Sequence, residues 1–242
     1  MPRFFVDQPL FANATLCLPD AVVRHVQVLR LNPGDALTLF NGDPAGCEYP
    51  ATVLSVGKRQ VEVQVGAALA VSRESPLQLG LAQGISSGDR MDFTLQKGVE
   101  LGVQVFQPLA TQRSIVRLSG ERADKRLLRW REIVLSACEQ CGRNSVPEVR
   151  PILSLDAWLA SQVAQQGTRL LLSPQAGVRL RQLPAPTSAW LLAGPEGGLT
   201  DAEEHAAITA GWTALTLGPR VLRTETAALA AVAAMQLCWG DY

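Results

Sequence analysis

Histidine is scarce in this chain, with two in 242 residues, at positions 25 and 205. Neither stands at finger-like spacing from the pair Cys138-Glu-Gln-Cys141, so that pair lacks the further ligands a zinc site needs. It also closes a helical run instead of opening one, which removes the helix N-terminus that a redox pair prefers. Small buried thiols near a turn, and no metal, are expected. The cysteines number five and are scattered at 17, 47, 138, 141 and 238. An odd set of that kind makes no disulfide framework and fits a reducing compartment. Excess charge of one sign is missing too, because 22 Lys plus Arg balance 22 Asp plus Glu. Any polyanion must then be met by a local patch. No apolar run approaches the ~18 residues that span a bilayer. The opening Met1-Pro-Arg-Phe-Phe-Val-Asp7 sets a carboxylate where a signal peptide carries its apolar segment. These absences lead us to expect a cytoplasmic protein with no membrane partner.

Apolar residues, by contrast, make up 47% of the chain, enough for a sizeable core and for two modest domains. Up to about residue 70 the pattern reads as short strands: RFFV, ALTLFNGD, the alternating CEYPATVLSV and RQVEVQVGAAL. Asn32-Pro-Gly-Asp35 and Asn41-Gly-Asp43 serve as turns. One helix, Pro19 to Leu29, interrupts them with Val22, Val23, Val26 and Leu29 on one stripe. This grammar predicts a small β-barrel or sandwich. The polar, proline-marked segment Val71-Ser-Arg-Glu-Ser-Pro76 marks the boundary, which divides the chain into domains 1–72 and 73–242.

Beyond it, short apolar runs (LQLGLAQ, VQVFQPLAT, TRLLLSP, AWLLAG, WTALTLG) alternate with helical patterns near 89–101, 122–140, 154–165, 201–210 and 224–238. Such alternation predicts an α/β domain, a mostly parallel sheet with helices on both faces. Ligands of such sheets sit in the loops beyond the carboxyl ends of strands. Three strand ends stand out: Leu170-Leu-Leu-Ser-Pro174, Leu192-Ala-Gly-Pro-Glu-Gly-Gly198 and Leu215-Thr-Leu-Gly-Pro-Arg220.

In the second of these loops, glycines at 194, 197 and 198 permit positive φ and let a ligand approach the main chain, while Thr200-Asp-Ala-Glu203 is a capping box. No Gly-Lys-Ser/Thr follows, and the Gly-x-Gly-x-x-Gly spacing is absent, so neither a Walker loop nor a dinucleotide fingerprint is present. A nucleoside-type ligand without phosphates, such as S-adenosylmethionine, suits this bare backbone. The third strand end continues into Leu217-Gly-Pro-Arg-Val-Leu-Arg-Thr-Glu-Thr226, with Thr224 as a candidate N-cap and Arg220 and Arg223 on the connection. The helix that follows is apolar almost all round and must be buried by its own sheet or by a second subunit.

Taken together, Leu191-Leu-Ala-Gly-Pro-Glu-Gly-Gly-Leu-Thr200 and Leu217-Gly-Pro-Arg-Val-Leu-Arg-Thr-Glu-Thr226 resemble the ribosomal RNA small subunit methyltransferase E family. The likeness extends to Gln96-Lys-Gly-Val-Glu-Leu-Gly102, Thr111-Gln-Arg-Ser114 and Ala137-Cys-Glu-Gln-Cys-Gly-Arg-Asn144, and to Arg3-Phe4-Phe5 and Val28-Leu-Arg-Leu-Asn-Pro-Gly-Asp35. The resemblance implies a trefoil-knotted α/β methyltransferase domain of the SPOUT class behind a PUA-like β-barrel, working as a homodimer. The implied reaction is methyl transfer from S-adenosylmethionine to N3 of one uridine in 16S ribosomal RNA, free or within the small subunit, with no role on DNA. Carried over by position, the cofactor would contact Leu172, Ser173 and Pro174, then Gly194, Glu196 and Gly197, then Leu217, Gly218, Leu222 and Arg223.

Chemically, N3 of uridine becomes a nucleophile only on losing its proton. Arginine is too strongly basic to take that proton, but a guanidinium stabilises the charge left on the uracil oxygens. Arg223 is expected in that role with Arg220 on the RNA backbone, and the base is water or Glu196. For RNA contact, Arg113, Arg117, Arg122 and Arg126 lie in a basic stretch of residues 111–131, and Arg3, Arg24 and Arg30 in the N-terminal domain. The solvated face of a long helix is the alternative reading of the first group. Two rival functions remain: a ribose 2′-O-methyltransferase of the same knotted class, and a catalytically silent RNA-binding assembly factor.

Overall fold

The computed structural model describes residues 1–43, 45–116, 118–162, 167–175 and 177–242. They form two compact units, Met1–Glu74 with Cys138–Val146, and Ser75–Ala137 with Pro147–Tyr242. Among the described residues no helix is long and apolar enough to cross a membrane.

The first unit contains β1 (Arg3–Phe5), β2 (Thr15–Cys17), α1 (Asp20–Val28), β3 (Ala36–Phe40), β4 (Cys47–Val56), β5 (Val61–Val65) and β6 (Leu69–Ala70). Its sheet runs β1-β3-β4-β5-β2, with β6 paired to β4. Among the described residues only the β1/β3 pair is parallel. Strand β5 shows why a sheet forms here: in Val61-Glu-Val-Gln-Val65 the three valines are buried and the polar residues between them are not, the period of two that a one-sided strand requires. These valines join Leu37, Leu39 and Val53 in a core to which α1 adds Val22, Val23 and Val26. Leu29, expected on the same stripe, is instead the C-cap residue of α1 and is 52% exposed. The unexpected β2 has only three residues, too few for alternation to register, and is defined by its antiparallel pairing with β5.

The expected cut after residue 72 places 138–146 with the second half of the chain, whereas here these nine residues are part of the first unit. Polar pairing accounts for it. Arg3 reaches Glu48 (2.5 Å), the Asn144 side-chain oxygen (2.6 Å) and the Gly142 carbonyl (3.2 Å). Asn144 in turn donates to the carbonyls of Gly46 and Val71, both at 2.9 Å, and Arg143 grips Glu74 through Nε (3.0 Å) and Nη2 (2.5 Å). Burial alone would raise the Glu48 pKa, yet Arg3 and Arg73 together hold it below its ordinary value. Arg3 therefore faces inward, contrary to its expected place on an RNA-facing surface, because a largely buried guanidinium must be paired. Cys138 is buried, and burial pushes its thiol up to about 12. Its thiolate is not available near neutral pH. Among the described residues no cluster of His, Cys, Asp and Glu could hold a metal.

The second unit holds β7 (Gln78–Gly84), α2 (Asp89–Glu100), β8 (Val105–Ala110), most of α3 (Glu121–Cys141), β9 (Glu148–Val149), β10 (Leu153–Ser154), α4 (Leu155–Gln162), β11 (Thr168–Leu172), β12 (Ser188–Ala193), α5 (Asp201–Thr209), β13 (Thr213–Leu215) and α6 (Thr224–Trp239). The helix expected over 154–165 is seen to Gln162, and 163–165 lie outside the described residues. The strand order is β10-β8-β7-β12-β11-β13, with β9 on β8, and among the described residues every pair is parallel. Consecutive residues of a strand point to opposite faces, yet Leu170 and Leu171, Leu191 and Leu192, and Leu81 and Ala82 are all fully buried. Both faces of the sheet are thus covered, as parallel sheets require. Helices α2 and α6 pack on each other, as do α4 and α5, the latter pair closing over a cluster that includes Trp158 and Trp212. The non-sequential order brings the carboxyl ends of β12, β11 and β13 side by side.

Candidate functional site

From the end of β12 the chain turns sharply: the Gly198 N–H donates to the Pro195 carbonyl at 2.9 Å. Only Gly198 in this loop takes a positive φ, of 68°, so the expectation that all three glycines permit such angles applies to one of them. Gly194 is required for another reason. A Cβ there would lie 2.8 Å from the Gly198 carbonyl carbon and the Leu199 nitrogen, closer than side chains approach main chain. Directly after the turn Thr200 caps α5: its hydroxyl accepts from the Glu203 N–H at 3.2 Å, and Glu203 Oε2 accepts from the Thr200 N–H at 2.8 Å. The Glu203 carboxylate also accepts from the Gln112 N–H at 2.8 Å, which ties the loop after β8 to the same corner.

The loops after β11, β12 and β13, with Arg113 from the loop after β8, line an open cavity of about 350 Å³. Its lining includes Leu172, Ser173, Pro174, Gly194, Glu196, Gly197, Leu217, Gly218 and Leu222, together with Arg113 and Arg220. Arg223 is not part of it. That residue is the exposed N-cap of α6, and its carbonyl accepts from the Ala227 N–H at 2.8 Å. Nor does Thr224 cap the helix as expected. Its hydroxyl donates instead to the Gly194 carbonyl at 2.6 Å, because the α6 terminus lies against the glycine loop. Two acids that did not stand out in the sequence, Asp201 and Glu204, also line the cavity, and Glu204 accepts from the Ser173 hydroxyl at 2.9 Å.

Glu196, half-buried on the cavity lining, is anchored by Ser87 and Arg90. One carboxylate oxygen accepts from the Ser87 N–H (2.7 Å), the Ser87 hydroxyl (2.6 Å) and Arg90 Nη1 (2.9 Å). Burial by itself raises this pKa, but the Ser87 hydroxyl, the N–H groups of Glu196 and Ser87, and Arg90 outweigh it and hold the carboxyl below its ordinary 4.5. A carboxylate whose folded pKa lies below its unfolded one stabilises the fold fully above the unfolded value, and that contribution fades as pH falls through the folded value. The gap in thermal midpoint between wild type and Glu196→Gln is therefore expected to be steady from about pH 8 to 6 and to shrink below about pH 4. A gap that widens on acidification would contradict this assignment.

Ser87, Arg90 and Gln83 did not stand out either, although the strand LQLGLAQ runs straight into Gly84-Ile-Ser-Ser-Gly-Asp-Arg90. That loop leaves a carboxyl end beside β12, and the adjacency was the signal available. The basic residues expected on RNA divide. Arg113 Nη1 donates to the carbonyls of Gly197 (3.1 Å) and Leu199 (2.9 Å) and so braces the glycine loop. Arg126 is half-buried, 4.0 Å from Asp92. Arg24, Arg30 and Arg122 are exposed, and Arg117 lies outside the described residues.

Residues 73–236 match the model of an RNA methyltransferase domain and residues 18–66 that of an RNA methyltransferase PUA domain. Ribosomal RNA small subunit methyltransferase E of Bacillus subtilis is 34% identical over 97% of this chain and 96% of its own length. The Buchnera aphidicola protein of the same name is 32% identical over 100% and 98%. The chain belongs to the ribosomal RNA small subunit methyltransferase E family. A solved methyltransferase E from Neisseria gonorrhoeae, bound to S-adenosylmethionine, superposes with a TM-score of 0.92 at 46% identity, covering 100% of this chain and 99% of that one. As in that methyltransferase E relative, a PUA-like domain precedes a parallel-sheet α/β methyltransferase domain.

Proposed function

We propose that the protein methylates N3 of a uridine in 16S ribosomal RNA, using S-adenosylmethionine and acting as a homodimer in the cytoplasm. The observation that carries this reading is the cavity at three adjacent strand ends, in a chain that matches a cofactor-bound methyltransferase E over its whole length. Its volume of about 350 Å³ falls in the range of small-molecule sites. The lining suits a nucleoside that carries a cation. Leu172, Leu217 and Leu222 offer apolar contact, the glycine loop offers main chain, and Glu196, Asp201 and Glu204 offer negative charge and acceptors. We take the second unit to follow the knotted path the family implies, a reading supported by the non-sequential order β7-β12-β11-β13.

S-adenosylmethionine, when bound, supplies a methyl group already activated by a sulfonium. What is left to the chain is alignment and control of charge at the acceptor. Arg220 lines the cavity and Arg223 does not, so the roles expected of the two arginines are exchanged: Arg220 stabilises the negative charge on the uracil oxygens as N3 is deprotonated, and Arg223 meets the RNA backbone. Glu196 is unsuited to be the base, since the donors that lower its pKa oppose protonation. The proton leaves to water. On α6, Thr226, Ala230, Ala233 and Leu237 follow helical spacing and include the exposed Leu237, 69% accessible, a stripe suited to a second copy. The exposed Arg24, Arg30 and Arg122 are the RNA contacts that this reading retains.

The test is mass-spectrometric nucleoside analysis of 16S RNA after small subunits from cells lacking this activity are incubated with protein and S-adenosylmethionine. N3-methyluridine is the expected product. A ribose-methylated nucleoside, or no product despite cofactor binding, would overturn the reading.

A further inference from the structure

Gln83 is an amide in an otherwise apolar place. It is the penultimate residue of β7, 1% exposed, in a strand that also buries Leu79, Leu81 and Ala82. Its side-chain oxygen is buried without a hydrogen-bond partner among the described residues, a cost that a leucine of similar size would remove. Its NH2 group explains the orientation. Its two N–H bonds are shared among three acceptors, the Gly84 carbonyl (3.1 Å), the Gly194 carbonyl (3.0 Å) and the Thr224 hydroxyl (3.0 Å). Thr224, 9% exposed and itself on the cavity lining, donates its hydroxyl hydrogen bond to the same Gly194 carbonyl at 2.6 Å.

That carbonyl therefore receives two donors and has both lone pairs occupied. Gln83 and Thr224 belong to different elements, β7 and the first turn of α6, and they meet on the first residue of the glycine loop that leaves β12. The loop after β12 and the loop after β13 form two walls of the cavity, and this three-way junction fixes the spacing between them. The glycine loop presents main chain to the cavity, so the position of that wall is set by what holds its backbone.

We infer that Gln83 and Thr224 are positioning residues for S-adenosylmethionine, clamping the Gly194 carbonyl so that the two cofactor loops are held at binding distance before the ligand arrives. The inference rests on the methyltransferase reading of this cavity. It predicts a specific pattern. Thr224→Val keeps the shape but removes the hydroxyl, which leaves a buried carbonyl short of a donor. Thr224→Ser keeps the hydroxyl and drops a methyl. Gln83→Met keeps length and burial but removes both donors.

The experiment measures S-adenosylmethionine binding to the full-length protein by calorimetry, and KM for cofactor and for RNA with small subunits as substrate. Thr224→Val and Gln83→Met are expected to weaken cofactor binding by about tenfold or more, the factor that one unmade buried hydrogen bond corresponds to, with Thr224→Ser within about threefold of wild type. KM for cofactor rises in step, while KM for RNA is unchanged. A role in stability alone would lower the active fraction, reducing kcat with both KM values intact, and that outcome overturns the inference, as does a serine variant as weak as the valine one. Should Thr224→Val fail to fold, Gln83→Met decides: wild-type affinity there also overturns it. Wild-type protein that does not bind S-adenosylmethionine at all would instead defeat the methyltransferase reading, a separate result.

Discussion

Gly194→Ala is expected to bind S-adenosylmethionine about ten- to a hundredfold more weakly than wild type, while Gly198→Asn stays within about threefold. The two glycines lie in one loop but are needed for different reasons. At 194 the added Cβ meets main-chain atoms of Gly198 and Leu199 at 2.8 Å. Backbone cannot rotate out of the way as a side chain tip does. Nor can Gly194 retreat, since its carbonyl is gripped by Thr224 and Gln83. The loop must open, and overpacking of this kind costs about 1–3 kcal/mol, which is the affinity range stated. At 198 the surroundings are open, with nothing within 4 Å of an added Cβ, and the requirement is a φ of 68°. Asparagine tolerates that region better than other non-glycine residues. Calorimetric titration of the two variants checks both halves. Equal affinities would show that the close approach at 194 does not shape the cavity.

The contrast shows what a sequence discloses and what it withholds. Glycines clustered after an apolar run announce a loop where main chain is approached closely, and the longer strands, the helices and three carboxyl ends followed from periodicity, whereas the two- and three-residue strands β2, β9 and β10 did not. The capping box Thr200-Asp-Ala-Glu203 was legible because all of its bonds are local. What was not legible is long-range. Gln83 and Thr224 are separated by 141 residues, Ser87 and Glu196 by 109, and no spacing rule connects them. The same holds for residues 138–146, which the boundary after residue 72 placed with the second domain while their polar partners, Arg3, Gly46, Val71 and Glu74, lie far back in the chain. Arginine was the least legible residue type. Its charge reads as a surface in sequence, yet Arg3 and Arg113 are bonded to carboxylate and carbonyl groups of the fold. Only a structure separates an arginine that meets a partner from one that braces a loop.

That separation sets the expectation for Arg220, an exposed arginine on the cavity wall. Arg220→Ala is expected to lower kcat by about 10²- to 10³-fold, the usual loss when one preorganised donor to a developing anion is removed. Its affinity for S-adenosylmethionine should change by less than about threefold. The reasoning follows the charge. Loss of the N3 proton spreads a negative charge over the two uracil oxygens, and that charge is absent from the ground state, so a guanidinium that meets it acts on the transition state and not on cofactor binding. Arg220→Lys keeps the charge but loses the planar fork, and should fall between the two. Arg223→Ala provides the comparison, because that residue is the exposed N-cap of α6 and does not line the cavity. It should raise KM for RNA and leave kcat near the wild-type value, with the RNA affinity of the wild type showing the stronger salt dependence. Single-turnover methylation of small subunits, with cofactor affinity measured in parallel, distinguishes the two arginines. Full turnover in Arg220→Ala with a collapse in Arg223→Ala would return the charge-stabilising role to Arg223 and require the α6 entrance to rearrange when RNA binds.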